Sequence, residues 1–202
     1  YTPVNEMFIC ATFSGRYGWW NEQLASDRGF VTALKHLVRA NVLAMHAILD
    51  LRPDALFFQS ESAEYFHASS PAAIKSAEIR NSQRFLSLDL NYGRRVDSEM
   101  YEYLMDNGMT RAEYDWFMAG EPAGHQVLGA DYYGRNEHIV KPCGSKFALE
   151  DVMGWYLVAR EYYDRYRKPL MHTETNVFDA NAAPGWLWKQ WVNMLRSRQD
   201  GI

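Results

Sequence analysis

The sequence predicts an α/β fold built on a parallel sheet. Short apolar runs of strand length alternate with stretches of helical periodicity along its 202 residues. Such alternation implies parallel strands joined by right-handed crossovers. Two architectures satisfy it, a closed barrel and an open doubly wound sheet. A nucleotide-binding open sheet calls for a Gly-rich turn after its first strand, and neither G-x-G-x-x-G nor a Walker loop occurs. Gly15-Arg16-Tyr17-Gly18 is too crowded with aromatics to serve. No solenoid-type repeat or low-complexity segment breaks the pattern.

The elements follow in order. Tyr1-Thr2-Pro3-Val4 is short and β-favouring, and this first strand runs straight into Asn5-Glu6. A Gly/Trp-rich loop covers 14–27. Phe30, Leu34, Leu37, Val38, Val42, Met45 and Ile48 recur at helical spacing and predict a helix that Arg52-Pro53 ends. Ala55-Leu56-Phe57-Phe58-Gln59 is the second strand, closing on Ser60-Glu61-Ser62. Pro71, a favoured early-helix residue, opens a helical region that continues through Ile74, Ile79 and Phe85. Residues 88–124 are less regular. Met100, Tyr103, Leu104 and Tyr114, Phe117 suggest two short helices broken at Asn107-Gly108. A connection of that length predicts a loop with function. Val127 to Tyr133 is the third strand. Leu149, Val152, Trp155, Tyr156, Ala159 and Tyr163 mark an amphipathic helix ending at Lys168-Pro169. Leu170 to Asn176 is the fourth strand, and a last helix runs from about Pro184 through Leu187, Trp191 and Leu195.

Composition bounds the class. Hydrophobic residues at 48% and charged residues at 23% are ordinary for a globular protein. They give no reason to divide the chain, so residues 1–202 are read as one domain. A net charge of −4 without a Lys/Arg block argues against nucleic acid as a partner. No run reaches the length of a membrane span and no signal peptide opens the chain, which reads as cytoplasmic. The first residue is Tyr, so the chain is expected to begin inside a longer gene. Cys10 and Cys143 do not make a disulfide scaffold, and without C-x-x-C or H-E-x-x-H no metal is expected. Aromatics, at 15%, are the outlier. They serve core packing or form platforms on which apolar sugar faces stack.

All four strands end in polar residues, and each brings a carboxylate: Glu6, Glu61, Asp131 and Glu174. In a barrel those ends converge on one face, the face where active sites sit. Acids sharing a rim raise one another's pKa, which is costly unless it is used. Glycoside hydrolysis uses such a set, one carboxyl protonated for the leaving oxygen and one ionised to attack the sugar.

Here the residues carry a family resemblance. Val4-Asn5-Glu6 resembles the T-x-N-E-P motif of glycoside hydrolase family 1. Leu128-Gly129-Ala130-Asp131-Tyr132-Tyr133 is similar to its G-x-N-Y-Y, and Thr173-Glu174-Thr175-Asn176 to its T-E-N-G. The motifs stand in the family's order and span nearly the whole chain. The resemblance implies a partial TIM (β/α)8 barrel of about four β/α units, corresponding to strands four to seven. It implies a retaining β-glycosidase of β-glucosidase or β-galactosidase type, without cofactor. Glu6 would be the acid/base, Glu174 the nucleophile, Asn5 a contact of the sugar 2-hydroxyl and Tyr133 a partner of the nucleophile. Asp131, His172, Glu61 and Trp19 complete the expected substrate contacts. Plainer readings stand beside these: His172 as a buried structural histidine, Glu61 as one half of a salt bridge, Trp19 in loop packing and Tyr133 in plain packing. Trp186, Trp188 and Trp191 are read as packing.

The chain departs from the family at Met7, where proline is usual, at Asp131, where asparagine is usual, and at Thr175-Asn176 in place of Asn-Gly. Relative to the family it lacks strands one to three and strand eight. A half-barrel exposes two edges and an apolar face, so a complementary barrel segment or a homo-oligomer is expected to cover them. A half-barrel that binds sugar or a partner without catalysis is the alternative.

Overall fold

The structure is a computed structural model and describes residues 1–120, 125–150 and 152–202. Its helices are α1 (Met7–Ala11), α2 (Asp27–Leu51), α3 (Ile74–Gln83), α4 (Leu86–Asn91), α5 (Ser98–Asp106), α6 (Arg111–Ala119), α7 (Gly154–Tyr166) and α8 (Ala183–Gln199). Its strands are β1 (Leu56–Ser62), β2 (Tyr65–Ala68), β3 (His125–Asp131), β4 (Glu137–Val140), β5 (Lys146–Leu149) and β6 (Leu170–Met171). Among the described residues these make two three-stranded sheets, in the orders β1-β3-β6 and β2-β4-β5, and neither closes into a barrel. The α/β class holds. The regular repeat of four strand–helix units does not. No helix among the described residues is long and apolar enough to cross a membrane.

The chain forms two compact units, each described by itself. The first comprises 1–61 and 85–126. Ser26 caps α2 by accepting the Gly29 N–H at 3.0 Å. The long apolar stripe of α2 (Phe30, Leu34, Val38, Met45) is fully buried together with Phe57 of β1 and Leu86, Leu88 and Leu90 of α4. Gly15 lies so close to Gly29 that a Cβ there would sit 2.4 Å from the Gly29 backbone. Here the expected first strand is not formed, and the reason is chemical. Tyr1 and Glu6 do bond the main chain of β1, through Leu56, Phe58 and Ser60. Between them Pro3 has no N–H, and the Val4 N–H donates instead to Asn41 Oδ1 at 3.0 Å. Within 88–124 the two short helices expected on either side of Asn107-Gly108 are formed as α5 and α6, with the end of α4 before them, and Glu121 to Gly124 lie outside the described residues.

The second unit comprises 62–84 and 127–202. Here β3 and β6 pair in parallel, Leu128 opposite Leu170. The fourth strand is therefore only two residues long, and His172 to Asn176 continue as irregular chain. The sheet β2-β4-β5 was not expected. In it β2 runs parallel to β4 and β5 antiparallel to it. Arg84 is buried to 1% exposure between the rings of Tyr65 and Tyr162, each 5.1 Å away. Its guanidinium is satisfied by Glu161 and by the carbonyl of Glu64 at 2.6 Å.

Candidate active site

The acid/base candidate sits on the turn that opens α1. Glu6 is half-buried and takes a left-handed backbone, φ 47° and ψ 54°. That conformation costs a non-glycine residue of the order of 1 kcal/mol and persists only where neighbours hold it. The Glu6 N–H donates to the Ser60 carbonyl at 3.0 Å, and the Glu6 carbonyl accepts the Cys10 N–H at 2.9 Å. Asn5 is exposed, and its carbonyl lies 3.5 Å from the Cys10 sulfur. Burial pushes the Cys10 thiol up to about 11, and the Glu61 and Glu6 charges add to the shift. Glu61, expected among the substrate contacts, is 1% exposed. Both its oxygens accept the Phe8 N–H, at 3.2 and 3.0 Å, and one accepts the Ser87 hydroxyl at 2.6 Å. Trp19 is 65% exposed and packs against Phe13 and Tyr17, with ring centroids 5.1 and 4.7 Å away.

The nucleophile candidate sits in the second unit, just past β6. Glu174 is half-buried, and its carboxylate accepts the Tyr133 hydroxyl at 2.7 Å, the partnership expected of these two residues. Its carbonyl accepts the Tyr132 N–H at 2.9 Å. Thr173 donates its hydroxyl to the buried Asp131 carboxylate. Asp131 is thereby tied to the side chain of the residue before Glu174. His172 stacks on Trp155, centroids 4.9 Å apart and planes 16° apart. Burial holds its imidazole below the ordinary value, against hydrogen bonds involving the Tyr132 and Glu174 backbone. His172, Thr173, Glu174 and Thr175 line one side of a groove of about 570 Å³, and Leu187, Trp188, Gln190 and Trp191 of α8 line the other.

No family model matches the sequence, and no curated protein does. Solved structures do. The family 1 β-glucosidase from Thermotoga maritima superposes with a TM-score of 0.78 at 18% identity, over 98% of this chain and 50% of that one. The Thermotoga maritima family 1 glycoside hydrolase complexed with a cyclophellitol analogue transition state mimic gives 0.79 at 17%, over 98% and 51%. The β-glucosidase from the same organism in complex with castanospermine gives 0.78 at 18%, over 98% and 50%. The chain has the fold of half a family 1 β-glucosidase. It spans about half the length of the solved structures it matches.

Within this β-glucosidase-like fold, several supporting residues were not expected. Trp186 donates its indole N–H to Thr175 at 2.7 Å and stacks on Tyr132, planes 5° apart, so it packs as expected while also fixing the residue after Glu174. Trp188 and Trp191, read as packing, are instead 68% and 53% exposed on the groove. Helical periodicity marks which face they share, and among the described residues that face is open. Glu137 is the other addition. Its side chain is wholly buried, and it collects the Tyr132 hydroxyl at 2.8 Å, His67 Nε2 at 2.6 Å and the Val152, Met153 and Gly154 N–H groups at the start of α7. No motif signals such a carboxylate.

Proposed function

We propose that this chain carries both catalytic carboxylates of a retaining β-glycosidase, Glu6 as acid/base and Glu174 as nucleophile. The observation that carries the reading is the Tyr133 hydroxyl donating to the Glu174 carboxylate in a tryptophan-lined groove. A phenol in that place fixes the orientation of the carboxylate, as a nucleophile requires. The likeness in fold to family 1 β-glucosidases supports the same class. In the first step Glu6 protonates the glycosidic oxygen while Glu174 attacks the anomeric carbon. The carbon–oxygen bond breaks, the aglycone leaves with the proton, and a glycosyl ester forms on Glu174. Glu6 then takes a proton from water, whose oxygen displaces Glu174 from the same face. Retention calls for the two carboxyls to act about 5–5.5 Å apart, against about 6.5–9.5 Å for inversion.

The substrate is a carbohydrate β-glycoside. Asn5 would meet the 2-hydroxyl, and His172, Asp131, Tyr133 and Trp19 would shape the sugar and aglycone contacts. The reading expects a complementary barrel segment or a second copy over the apolar face of α8, where Leu187 and Leu195 are exposed beside Trp188 and Trp191. A monodisperse, cooperatively unfolding monomer would count against that cover.

The test is hydrolysis of a chromogenic aryl β-glycoside, with the first-formed sugar anomer followed by NMR. Activity lost in both E174A and E6Q, with β product first, is the expected result. A fully active E174A would end the assignment. The alternative is a half-barrel that binds sugar without chemistry. Sugar binding without turnover, in this chain and in a longer form alike, would select it.

A further inference from the structure

Glu6 is the N-cap of α1, yet its side chain makes no capping bond there. An N-cap side chain ordinarily accepts the N–H of the second or third helical residue. In α1 the second residue is Phe8, and its N–H is taken by Glu61 through both carboxylate oxygens. The Ser87 hydroxyl, itself fully buried, fixes one of those oxygens at 2.6 Å. The preceding residue of β1, Ser60, takes the Glu6 N–H at 3.0 Å. Two consecutive residues at the end of β1 therefore grip the backbone on both sides of Glu6, one through a carbonyl and one through a carboxylate. Glu61 is 1% exposed, so it makes this grip from inside the core.

We infer that Glu61 is a positioning residue for Glu6: it caps α1 in place of Glu6, so that Glu6 stays in its left-handed turn with its carboxyl released from capping. The inference rests on the reading of Glu6 as the acid/base, and it accounts for a charged group at the buried end of β1. A buried carboxylate is tolerated where main-chain N–H groups and hydroxyls bond it, as the Phe8 N–H and the Ser87 hydroxyl do here. With that cap removed, the nearest carboxyl able to serve the Phe8 N–H is that of Glu6, and an acid/base drawn into a cap is misplaced and held ionised.

The experiment compares the parent chain with E61A and E61Q, labelled with 13C at glutamate carboxyls, with E6Q assigning the Glu6 signal. In E61A the Glu6 titration midpoint is expected to fall by about half a pH unit or more, because it gains the Phe8 N–H and loses a neighbouring negative charge. Phe8 amide exchange should quicken in the same variant. In E61Q an amide oxygen still accepts the Phe8 N–H, so exchange stays near the parent while the midpoint still falls through loss of charge. Toward an aryl β-glycoside, kcat should drop about tenfold or more in E61A with KM little changed, and E61Q should recover part of it. A Glu6 midpoint unmoved in folded E61A overturns the inference. If E61A does not fold, E61L removes the same cap at nearer the parent volume, and an unmoved Glu6 midpoint there overturns the inference equally. If E6Q keeps full activity while the midpoint moves in E61A, the positioning stands and the acid/base reading fails.

Discussion

Replacing Glu137 probes the scaffold behind Glu174 without relying on turnover. Its buried carboxylate gathers three main-chain N–H groups at the start of α7, the Tyr132 hydroxyl and His67. Truncation to Ala strands these donors. Each buried donor left unpaired costs about 1–3 kcal/mol, although water entering the vacated space offsets part of the sum. About 4 kcal/mol is therefore expected for E137A, or a fall in Tm of about 8–16 °C for a chain of this size. E137Q keeps the shape but turns an amide N–H toward at least one donor, and about 2 kcal/mol is expected. Burial alone would raise the carboxyl of Glu137. The Met153 and Gly154 N–H groups, then His67 and Tyr132, outweigh it and hold the value below the ordinary range. A depressed folded value gives stability that is complete above the unfolded value near ~4.3 and is lost as pH falls through the folded value. The gap between parent and E137Q should be flat above pH ~5 and narrow below pH ~4. Thermal melts followed by circular dichroism across pH 3–7, with urea titrations for m, provide the assay. A melting shift for E137A within ~2 °C at pH 7 would refute the hub.

Glu113 should show the same sign of pH dependence in miniature. Burial raises its carboxyl, but Lys35 and Thr110 hold it down at about 2, so E113Q should cost about 1 kcal/mol at pH 7 and almost nothing at pH 2 in urea melts. The two cysteines should separate cleanly under iodoacetamide at pH 8, read by mass spectrometry. Exposed Cys143, its thiol lowered by hydrogen bonds to Ser145, should be labelled well before Cys10, whose thiolate is suppressed by burial. Met7→Pro would restore the proline usual after the family's acid/base, yet here it should destabilise by about 2–5 kcal/mol. It empties a side chain only 1% exposed and forces the preceding residue toward extended backbone. A melt that leaves M7P as stable as the parent would show that the turn at Glu6 tolerates either conformation.

The parts of the fold legible in the sequence are those with a long period. The stripe of α2 from Phe30 to Met45 repeats over many turns, and its burial follows from that repeat alone. The second sheet was not legible. Glu137 and His138 are buried polar residues inside β4, and charged residues in a run of four read as loop until their partners are known. Likewise β2 is four residues long, and β5 leaves Phe147 half exposed. In 88–124 the two short helices on either side of Asn107-Gly108 were legible from Met100, Tyr103, Leu104, Tyr114 and Phe117, and the start of α6 is set by a capping box at Thr110 and Glu113.

The candidate site divides along the same line. The bond between Tyr133 and Glu174 was legible because each residue belongs to a motif with a known partner. The grip on Glu6 was not, because Glu61 and Phe8 lie 53 residues apart and neither looks like a cap. One departure in the sequence does gain a physical meaning from it. A residue before proline is pushed toward extended backbone, whereas Glu6 is left-handed. Met7 at the first helical position is compatible with that turn, and proline there is not. With Met7 in place, α1 can begin directly at Glu6, its second N–H needs a carboxylate, and Glu61 supplies one. The missing proline, the left-handed glutamate and the buried glutamate of β1 are then three parts of one local solution for presenting Glu6.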